Sequence, residues 1–230
     1  MIAGSRIDHL VIAARDLAQG VAWCEATLGV TPAAGGEHPL MGTHNRLLRI
    51  ATVNFPQAYL EVIAINPGAK SARSAPARRW FDLDDEQVQA AISEQPRLLH
   101  FVAQVPDVRA AVAALAAQDL DRGEVIHATR PTPRGLLQWQ ITVREDGQRL
   151  FDGALPTLIQ WGEHTHPAPT LPDQGVALQG LAVTHPQAAQ LQAAYDALAL
   201  QGVTLQPGEP NLCATLLTPR GRVQLESKGL

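Results

Sequence analysis

Two histidines lie at matching places in two similar segments of the sequence. RIDHLVIAARD starts at Arg6 and contains His9, and RLLHFVAQVPD starts at Arg97 and contains His100. An imidazole inside an apolar strand needs a hydrogen-bonding partner, because burying it unpaired costs roughly 1–3 kcal/mol. A single such histidine is best explained as a core residue bonded to a backbone carbonyl. Two at equivalent positions favour a functional pair, and neutral imidazole is the commonest nitrogen ligand of divalent metals.

A carboxylate interrupts a third apolar segment, YLEVIAI. Glu61 is spaced by two residues from Tyr59 and Ile63, and Ile65 continues the series, so the four side chains share one face of the predicted strand. A charged side chain in that setting is rarely buried unless it is paired or ligates an ion. The alternative is an edge-strand glutamate that faces water. The apolar neighbours favour the buried, functional interpretation.

The two histidine segments each open a repeated series of elements. Each is predicted to be a buried strand that ends at an aspartate, Asp16 or Asp107, whose carboxylate can cap a following helix. The helices are predicted to end near Gly29 and Gly123. Three more strand-like runs follow each helix: VTPAAG, NRLLRIATV and YLEVIAI in the first copy, and EVIHAT, LLQWQITV and LPTLIQW in the second. The order strand, helix and three strands therefore occurs twice.

A third, weaker copy follows. VALQGLAVTHP predicts a strand, Pro186 suits the first turn of a helix that ends near Gly202, and the runs VTLQP, LCATLLT and RVQLES complete the series. Gly180 stands where the first two copies have histidine, so the strand does not itself require the imidazole. The predicted organisation is a first module over residues 1–66, a linker over 67–96, a second module over 97–165 and a third over 166–230. The first linker is predicted to contain a short helix capped by Asp82 or Asp84.

These modules resemble the vicinal oxygen chelate superfamily, and most closely its glyoxalase-like domain proteins. The residues that carry the resemblance are IDHLVIAARDL, GGEHPLMGTHNRLL, YLEVIAINP and LIQWGEHTHPAP, and it covers nearly the whole chain. The resemblance implies an α+β fold of repeated βαβββ modules. Two of them would pair into a cup-shaped mixed sheet, and the third would be added at the C-terminal end. The third module would either cover the first two or pair with its counterpart in a homodimer.

The resemblance also implies a site inside the cup. A divalent ion (Zn, Ni, Mn or Fe) would be held by His9, His100 and Glu61, with Gln160 the nearest oxygen donor where the second module lacks a carboxylate. Glu61 would be either a ligand or the catalytic base. His38, Thr43, His44 and Asn45, which lie at the implied cup mouth, and Trp161 are the expected substrate contacts. The alternatives are a surface hairpin for the histidines and simple packing for Trp161. His164 and His166 form an HxH pair without a third ligand at clear spacing.

Three functions follow from this expectation. The first is a metal-dependent lyase or isomerase that acts on a small molecule with vicinal oxygens. The second is a metal-free protein of the same fold that binds and sequesters a small molecule. The third is an extradiol-type dioxygenase, because two histidines and a carboxylate are the ligand types of such iron sites.

Composition and charge argue against nucleic-acid binding and against a membrane-spanning segment. The chain has 230 residues, 46% of them hydrophobic and 17% charged, with a net charge of −4 and no run of like charges, so binding to nucleic acid is not expected. No apolar run is long enough to cross a membrane, and there is no signal-peptide pattern. The two isolated cysteines, Cys24 and Cys213, are typical of a reducing compartment, and we predict a cytoplasmic bacterial protein with a small-molecule partner.

Overall fold

The structure, a computed structural model, describes residues 4–69, 77–132, 135–163 and 166–230. Within these ranges the fold is α+β, with four helices and twelve strands. The helices are α1 (Leu17–Thr27), α2 (Glu86–Glu94), α3 (Val108–Ala116) and α4 (Ala188–Ala197). The strands are β1 (Arg6–Ala13), β2 (Ala33–His38), β3 (Thr43–Arg49), β4 (Tyr59–Ile65), β5 (Arg97–Gln104), β6 (Glu124–Thr132), β7 (Gly135–Val143), β8 (Thr157–Trp161), β9 (Ala177–Thr184), β10 (Val203–Gln206), β11 (Asn211–Thr218) and β12 (Gly221–Glu226). None of the helices in these ranges is long and apolar enough to span a membrane.

Two of the three helix N-caps predicted from the sequence are confirmed. The carboxylate of Asp16 accepts a hydrogen bond from the Gln19 amide at the start of α1, and that of Asp107 accepts from two amides at the start of α3. Helix α2 was expected to be capped by Asp82 or Asp84, and this was wrong, because Asp85 caps it. The other two carboxylates are engaged elsewhere: Asp82 bonds Arg149, and Asp84 bonds Arg79.

The first two modules form one curved sheet in the order β2-β3-β4-β1-β5-β8-β7-β6. Strands β1 and β5 pair antiparallel at its centre, and each pairs in parallel with the last strand of its own module, β4 or β8. One face packs against α1 and α3 through residues such as Leu10 and Phe101. The opposite, concave face carries Val11, Val102 and Ile159 and is closed by α2 and the segment before it. This arrangement is the cup predicted from the sequence.

Each first strand contains a β-bulge at the same position. In the pairing of β1 with β5, Ile7 and His9 have partners but Asp8 does not, and Leu98 and His100 have partners but Leu99 does not. The extra residue breaks the alternation of faces. Regular alternation would place Ile7 on the face of His9 and Val11, and Leu98 on the face of His100 and Val102. Because of the bulge, Ile7 and Leu98 pack on the helix side instead.

The third module repeats the order of elements but not the pairing. Its sheet runs β10-β9-β11-β12, so that its first strand lies beside its second and third strands. It keeps the bulge, since Leu178 and Gly180 are paired with β11 and Gln179 is not. The module packs on the helix side of the eight-stranded sheet and shares its core, with Leu181, Leu191 and Leu212 in the same cluster as Leu10 and Phe101. It therefore covers the outer face of the first two modules.

Candidate functional site

A small chamber lies on the concave face of the cup. Its volume is about 40 Å³, and it is walled by polar and aromatic side chains of both modules: His9, His38, Asn45, Tyr59, Glu61, Trp80, Phe81, Arg130, Trp139 and Trp161, with Leu47, Leu137, Ile141, Ile159 and Pro167. An outer cleft of about 580 Å³ shares Leu47, Arg130, Leu137 and Pro167 with it. A side pocket of about 320 Å³ shares His38, Trp80, Trp139 and Ile141. The chamber is thus the inner end of a larger concave site.

Asp8, the bulged residue of β1, is a fully buried carboxylate surrounded by donors. Its Oδ1 lies 2.6 Å from His9 Nδ1, and its Oδ2 lies 2.8 Å from Trp161 Nε1 and 3.0 Å from His166 Nε2. Burial raises the pKa of Asp8, but hydrogen bonds from His166 and His9 outweigh it and hold the pKa well below the usual range. Asp8 is therefore an anion in the folded protein.

The Asp8 contact fixes the orientation of His9. Because Asp8 is an acceptor, Nδ1 of His9 carries the proton and Nε2 keeps its lone pair. The ring stacks on Tyr59 with centroids 4.5 Å apart, and Nε2 lies 3.7 Å from Glu61 Oε2. That separation exceeds a hydrogen bond. The basic nitrogen of a carboxylate-oriented imidazole thus borders the chamber opposite a second carboxylate.

Glu61 is held by an amide that is itself fixed by the backbone. Oδ1 of Asn45 accepts from the Gly36 amide at 2.7 Å, so Nδ2 of Asn45 points to Glu61 and donates to Oε1 at 2.6 Å. The exposed fraction of the Glu61 side chain is 7%, which confirms the prediction of a buried carboxylate. One oxygen is therefore bonded to Asn45, and the other, Oε2, faces His9.

His38 completes this polar wall as a neutral ring. Its Nδ1 donates to Thr43 Oγ1 at 3.0 Å, while Nε2 accepts from Asn45 Nδ2 at 3.4 Å. Burial, with a smaller contribution from the charge of Arg130 and against the opposing effect of Glu61, lowers the pKa of His38 to about 4. His38 is therefore uncharged near neutral pH, and Thr43, buried behind it, holds the ring rather than lining the chamber.

His100, the counterpart of His9, lies in a different environment. Its Nδ1 donates to the Gly153 carbonyl at 2.9 Å, and its Nε2 accepts from the Thr157 amide at 3.0 Å. Phe81 lies over the ring, with centroids 5.3 Å apart, and the residue is fully buried. Burial, with Arg122 and Arg149 nearby, lowers the pKa of His100 well below its usual value. Both ring nitrogens are thus occupied by the protein, as in a core histidine.

The strand register also changes which residue of the second module corresponds to Glu61. Glu61 lies opposite Val11 in β1, and Thr157 lies opposite Val102 in β5, so Thr157 is the counterpart rather than Gln160. Gln160 faces α3, where its Oε1 accepts from the Val108 amide at 2.9 Å. His9, Glu61, His100 and Gln160 therefore do not converge, and they do not fit the implied metal. Across the described residues, no group of three or more His, Cys, Asp or Glu side chains is arranged to hold one.

The remaining predicted site residues differ in whether they reach the chamber. Trp161 lines the chamber and also bonds Asp8. His44 lies between Thr43 and Asn45 on β3, borders none of the three cavities, and has a buried Nε2 without a partner among the described residues. His164 lies outside the described residues, whereas His166 of the same HxH pair reaches Asp8 from the linker that leads to the third module.

Sequence reasoning missed several residues of the site, among them Asp8, Arg130 and Trp80. Asp8 precedes His9 directly, and a charge inside an apolar strand was a signal that could have found it. Arg130 and Trp80 carried no comparable signal, because they lie on segments distant in sequence that only the closed sheet brings to the chamber.

Comparisons with known proteins agree with this architecture. The model of the glyoxalase-like domain family matches residues 7–199. A hypothetical protein from Staphylococcus aureus of known crystal structure is 18% identical, with a TM-score of 0.60 over 90% of this chain and 87% of that one. A methylmalonyl-CoA epimerase in complex with methylmalonyl-CoA and NH4+ is 19% identical, with a TM-score of 0.43 over 71% and 99%. No curated protein matches the sequence significantly.

At this identity, the likeness to the Staphylococcus aureus protein shows the fold alone. The family match covers most of the chain, both histidine strands and all of the curved sheet. The chain therefore belongs to the glyoxalase-like domain family.

Proposed function

We propose that this protein is an enzyme that transfers a proton at a carbon atom next to a carbonyl group of a small molecule with vicinal oxygens. The observation that carries the proposal is the pair formed by His9 Nε2 and Glu61 Oε2. These two atoms lie 3.7 Å apart on the chamber wall and are not bonded to each other. A lyase, isomerase or epimerase reaction needs two such groups, because a proton is removed at one atom and delivered at another.

His9 is the proposed general base. Its Nε2 lone pair takes the proton from carbon, and the electrons of the broken C–H bond move into the carbonyl group to form an enolate. The imidazolium that results is stabilised by the Asp8 carboxylate on Nδ1, the role that a buried aspartate has in other His–Asp pairs. Trp161 and His166 hold Asp8 in place through its second oxygen.

Glu61 is the proposed second proton carrier. Its Oε2 lies beside Nε2 of His9, so both groups face the same side of the substrate. The Glu61 carboxylate, which Asn45 keeps in one orientation, takes the proton of the substrate hydroxyl and passes it to the enolate oxygen, while the imidazolium of His9 returns its proton to carbon. His38 is neutral and adjacent, so it adds no charge to this part of the chamber. No step is assigned to His100, whose ring nitrogens are both occupied.

Exchange of substrate protons with solvent tests this proposal directly. The protein is incubated in D2O with dihydroxyacetone, glyceraldehyde, lactate and pyruvate, and loss of each C–H signal is followed by proton NMR. We expect exchange with at least one compound and a decrease of about 100-fold or more in His9→Gln, the size of a general-base contribution. The matched control is His44→Gln, which removes an imidazole that borders none of the three cavities.

Two results would contradict the proposal. Exchange that persists in His9→Gln would remove the assigned base. Binding of these compounds without any exchange by the wild type would favour the alternative of a sequestering protein. Elemental analysis of the untagged protein, with exchange measured before and after dialysis against EDTA, tests the metal separately: we expect exchange to survive chelation, and loss restored by a metal would overturn the assignment.

A further inference from the structure

Arg130 occupies the junction between the two largest parts of the site. It lies on β6 and lines both the outer cleft of about 580 Å³ and the chamber of about 40 Å³. Molecules that enter the chamber from the cleft therefore pass its guanidinium. The chamber wall beyond it holds His9 and Glu61, the residues of the proposed proton transfer.

The guanidinium of Arg130 has no ion pair or hydrogen bond with any residue in the described ranges. Several other arginines have acidic partners: Arg49 pairs with Asp173, Arg144 with Asp146, and Arg149 with Asp82. Arg130 is half-buried, so its charge is partly removed from water without compensation inside the protein. A half-buried, unpaired guanidinium at a cavity junction is suited to bind an anion supplied from outside.

The neighbouring backbone leaves space for this side chain. A Cβ atom at Gly36 would overlap Nη1 of Arg130 and lie 2.6 Å from its Cδ, so the glycine allows the arginine to lie against β2. The charge is also felt inside the chamber, where it contributes to lowering the pKa of His38 and opposes the rise in the pKa of Tyr59. Arg130 therefore has a defined position and an electrostatic influence on two side chains of the chamber wall, His38 and Tyr59.

We propose that Arg130 binds a carboxylate of the substrate, so that the substrate class is a small carboxylic acid whose reacting carbon lies in front of the adjacent His9 and Glu61 side chains. This inference rests on the proposed proton transfer. The planar fork of a guanidinium matches a carboxylate with two parallel hydrogen bonds. The chamber also holds Glu61, with Asp8 directly behind His9, so an acid enters only if a positive charge offsets the two carboxylates.

Oxalate and its neutral diamide, oxamide, are suitable probes, because they have similar size and adjacent oxygens but differ in charge. Binding is measured by tryptophan fluorescence, since Trp80, Trp139 and Trp161 line the chamber, and by the NMR shift of the Arg130 Nε–H group. We expect oxalate, and not oxamide, to bind the wild type. Arg130→Gln should weaken oxalate binding about tenfold or more, and Arg130→Lys should restore part of it.

The matched control is Arg46→Gln, which removes an arginine of β3 that borders none of the three cavities. We expect it to change oxalate affinity by less than about twofold. Failure of the wild type to bind oxalate, or equal affinity in Arg130→Gln and wild type with an unshifted Arg130 resonance, would overturn the inference.

The two proposals fail in different ways. If Arg130→Gln retains both oxalate binding and exchange with acids, the carboxylate assignment is wrong and the proton transfer stands. If His9→Gln retains exchange, the proton-transfer proposal is wrong, while the oxalate titration still decides whether Arg130 binds acids.

Discussion

The two histidines of the repeated strand differ in what surrounds their ring nitrogens. His9 has one nitrogen on Asp8 and the other beside the chamber, whereas His100 has both nitrogens bonded to the protein. The same residue type at equivalent positions therefore supports chemistry in one module and structure in the other. Thr157 stands in place of a carboxylate, and both its backbone amide and its hydroxyl lie 3.0 Å from Nε2 of His100.

Replacing His100 tests its structural role. We expect His100→Ala to lower the free energy of unfolding by about 3 kcal/mol, because it leaves the Gly153 carbonyl and the Thr157 amide unpaired in a dry core and creates a cavity under Phe81. Chemical denaturation provides the measurement. A variant as stable as the wild type that has lost a bound metal would restore the original expectation of a ligand.

The lowered pKa of His38 predicts a pH dependence of stability. Unfolded histidine binds a proton below its ordinary pKa of about 6.5, whereas folded His38 does so only below about 4. Between these values the unfolded state binds more protons, so stability falls as the pH is lowered, by about 3 kcal/mol at pH 4.

Denaturation of the wild type and His38→Asn between pH 4 and 7 measures this effect. We expect the dependence to be weaker in His38→Asn and unchanged in His127→Asn, in which the replaced imidazole is exposed. Equal slopes in the wild type and His38→Asn would contradict the assignment.

At the scale of elements, strand β2 lies unusually close to strand β3 at Gly35. A Cβ atom at Gly35 would overlap Asn45 Oδ1 and lie 2.5 Å from the Asn45 carbonyl oxygen. The Asn45 side chain, which orients Glu61, therefore keeps its position only because residue 35 of the adjacent strand is a glycine.

Gly35→Ala should disturb both stability and the site. We expect a loss of about 2 kcal/mol, since the backbone of β3 cannot yield as a side chain would, together with a reduced exchange rate because Asn45 is displaced from Glu61. Gly180→Ala is the control: its added methyl group meets no atom within 4 Å, so stability should change by less than about 0.5 kcal/mol. Similar effects of the two substitutions would show that the close approach is unimportant.

The order of the elements could be predicted from the sequence, whereas the β-bulge could not. Repetition, capping aspartates and alternating apolar residues predicted the order of strands and helices, because these features act locally. The bulge at Asp8 was not predicted, since a bulge depends on the pairing of two strands rather than on either sequence alone. It places Ile7 on the helix side and leaves the Asp8 carboxylate beside His9.

At the scale of the whole molecule, two sheets share one core. Leu212 of the third module and Phe101 of the cup belong to the same cluster, and Tyr195 on α4 donates to the Ala154 carbonyl at 2.7 Å, one residue from the acceptor of His100. The third module is therefore part of the support of the site.

A substitution in the third module should thus be detected in the cup. We expect Leu212→Ala to lower the free energy of unfolding by about 3 kcal/mol and to shift the transitions seen by tryptophan fluorescence and by far-UV circular dichroism together. Leu217→Ala on the same strand is the control, because Leu217 is 52% exposed. Separate transitions for the two signals would show that the third module unfolds independently.

The bulge shared by the three first strands has an evolutionary consequence. Its extra residue is Asp8 in one copy, Leu99 in the second and Gln179 in the third, while the bulge itself is present each time. The backbone irregularity is thus common to the three copies, whereas the side chain placed on it differs in each. A single exchange at such a position adds or removes a buried charge beside the following residue without altering the sheet. Duplication of the module would then have supplied several positions at which a new activity could begin, and only one of them acquired an acid.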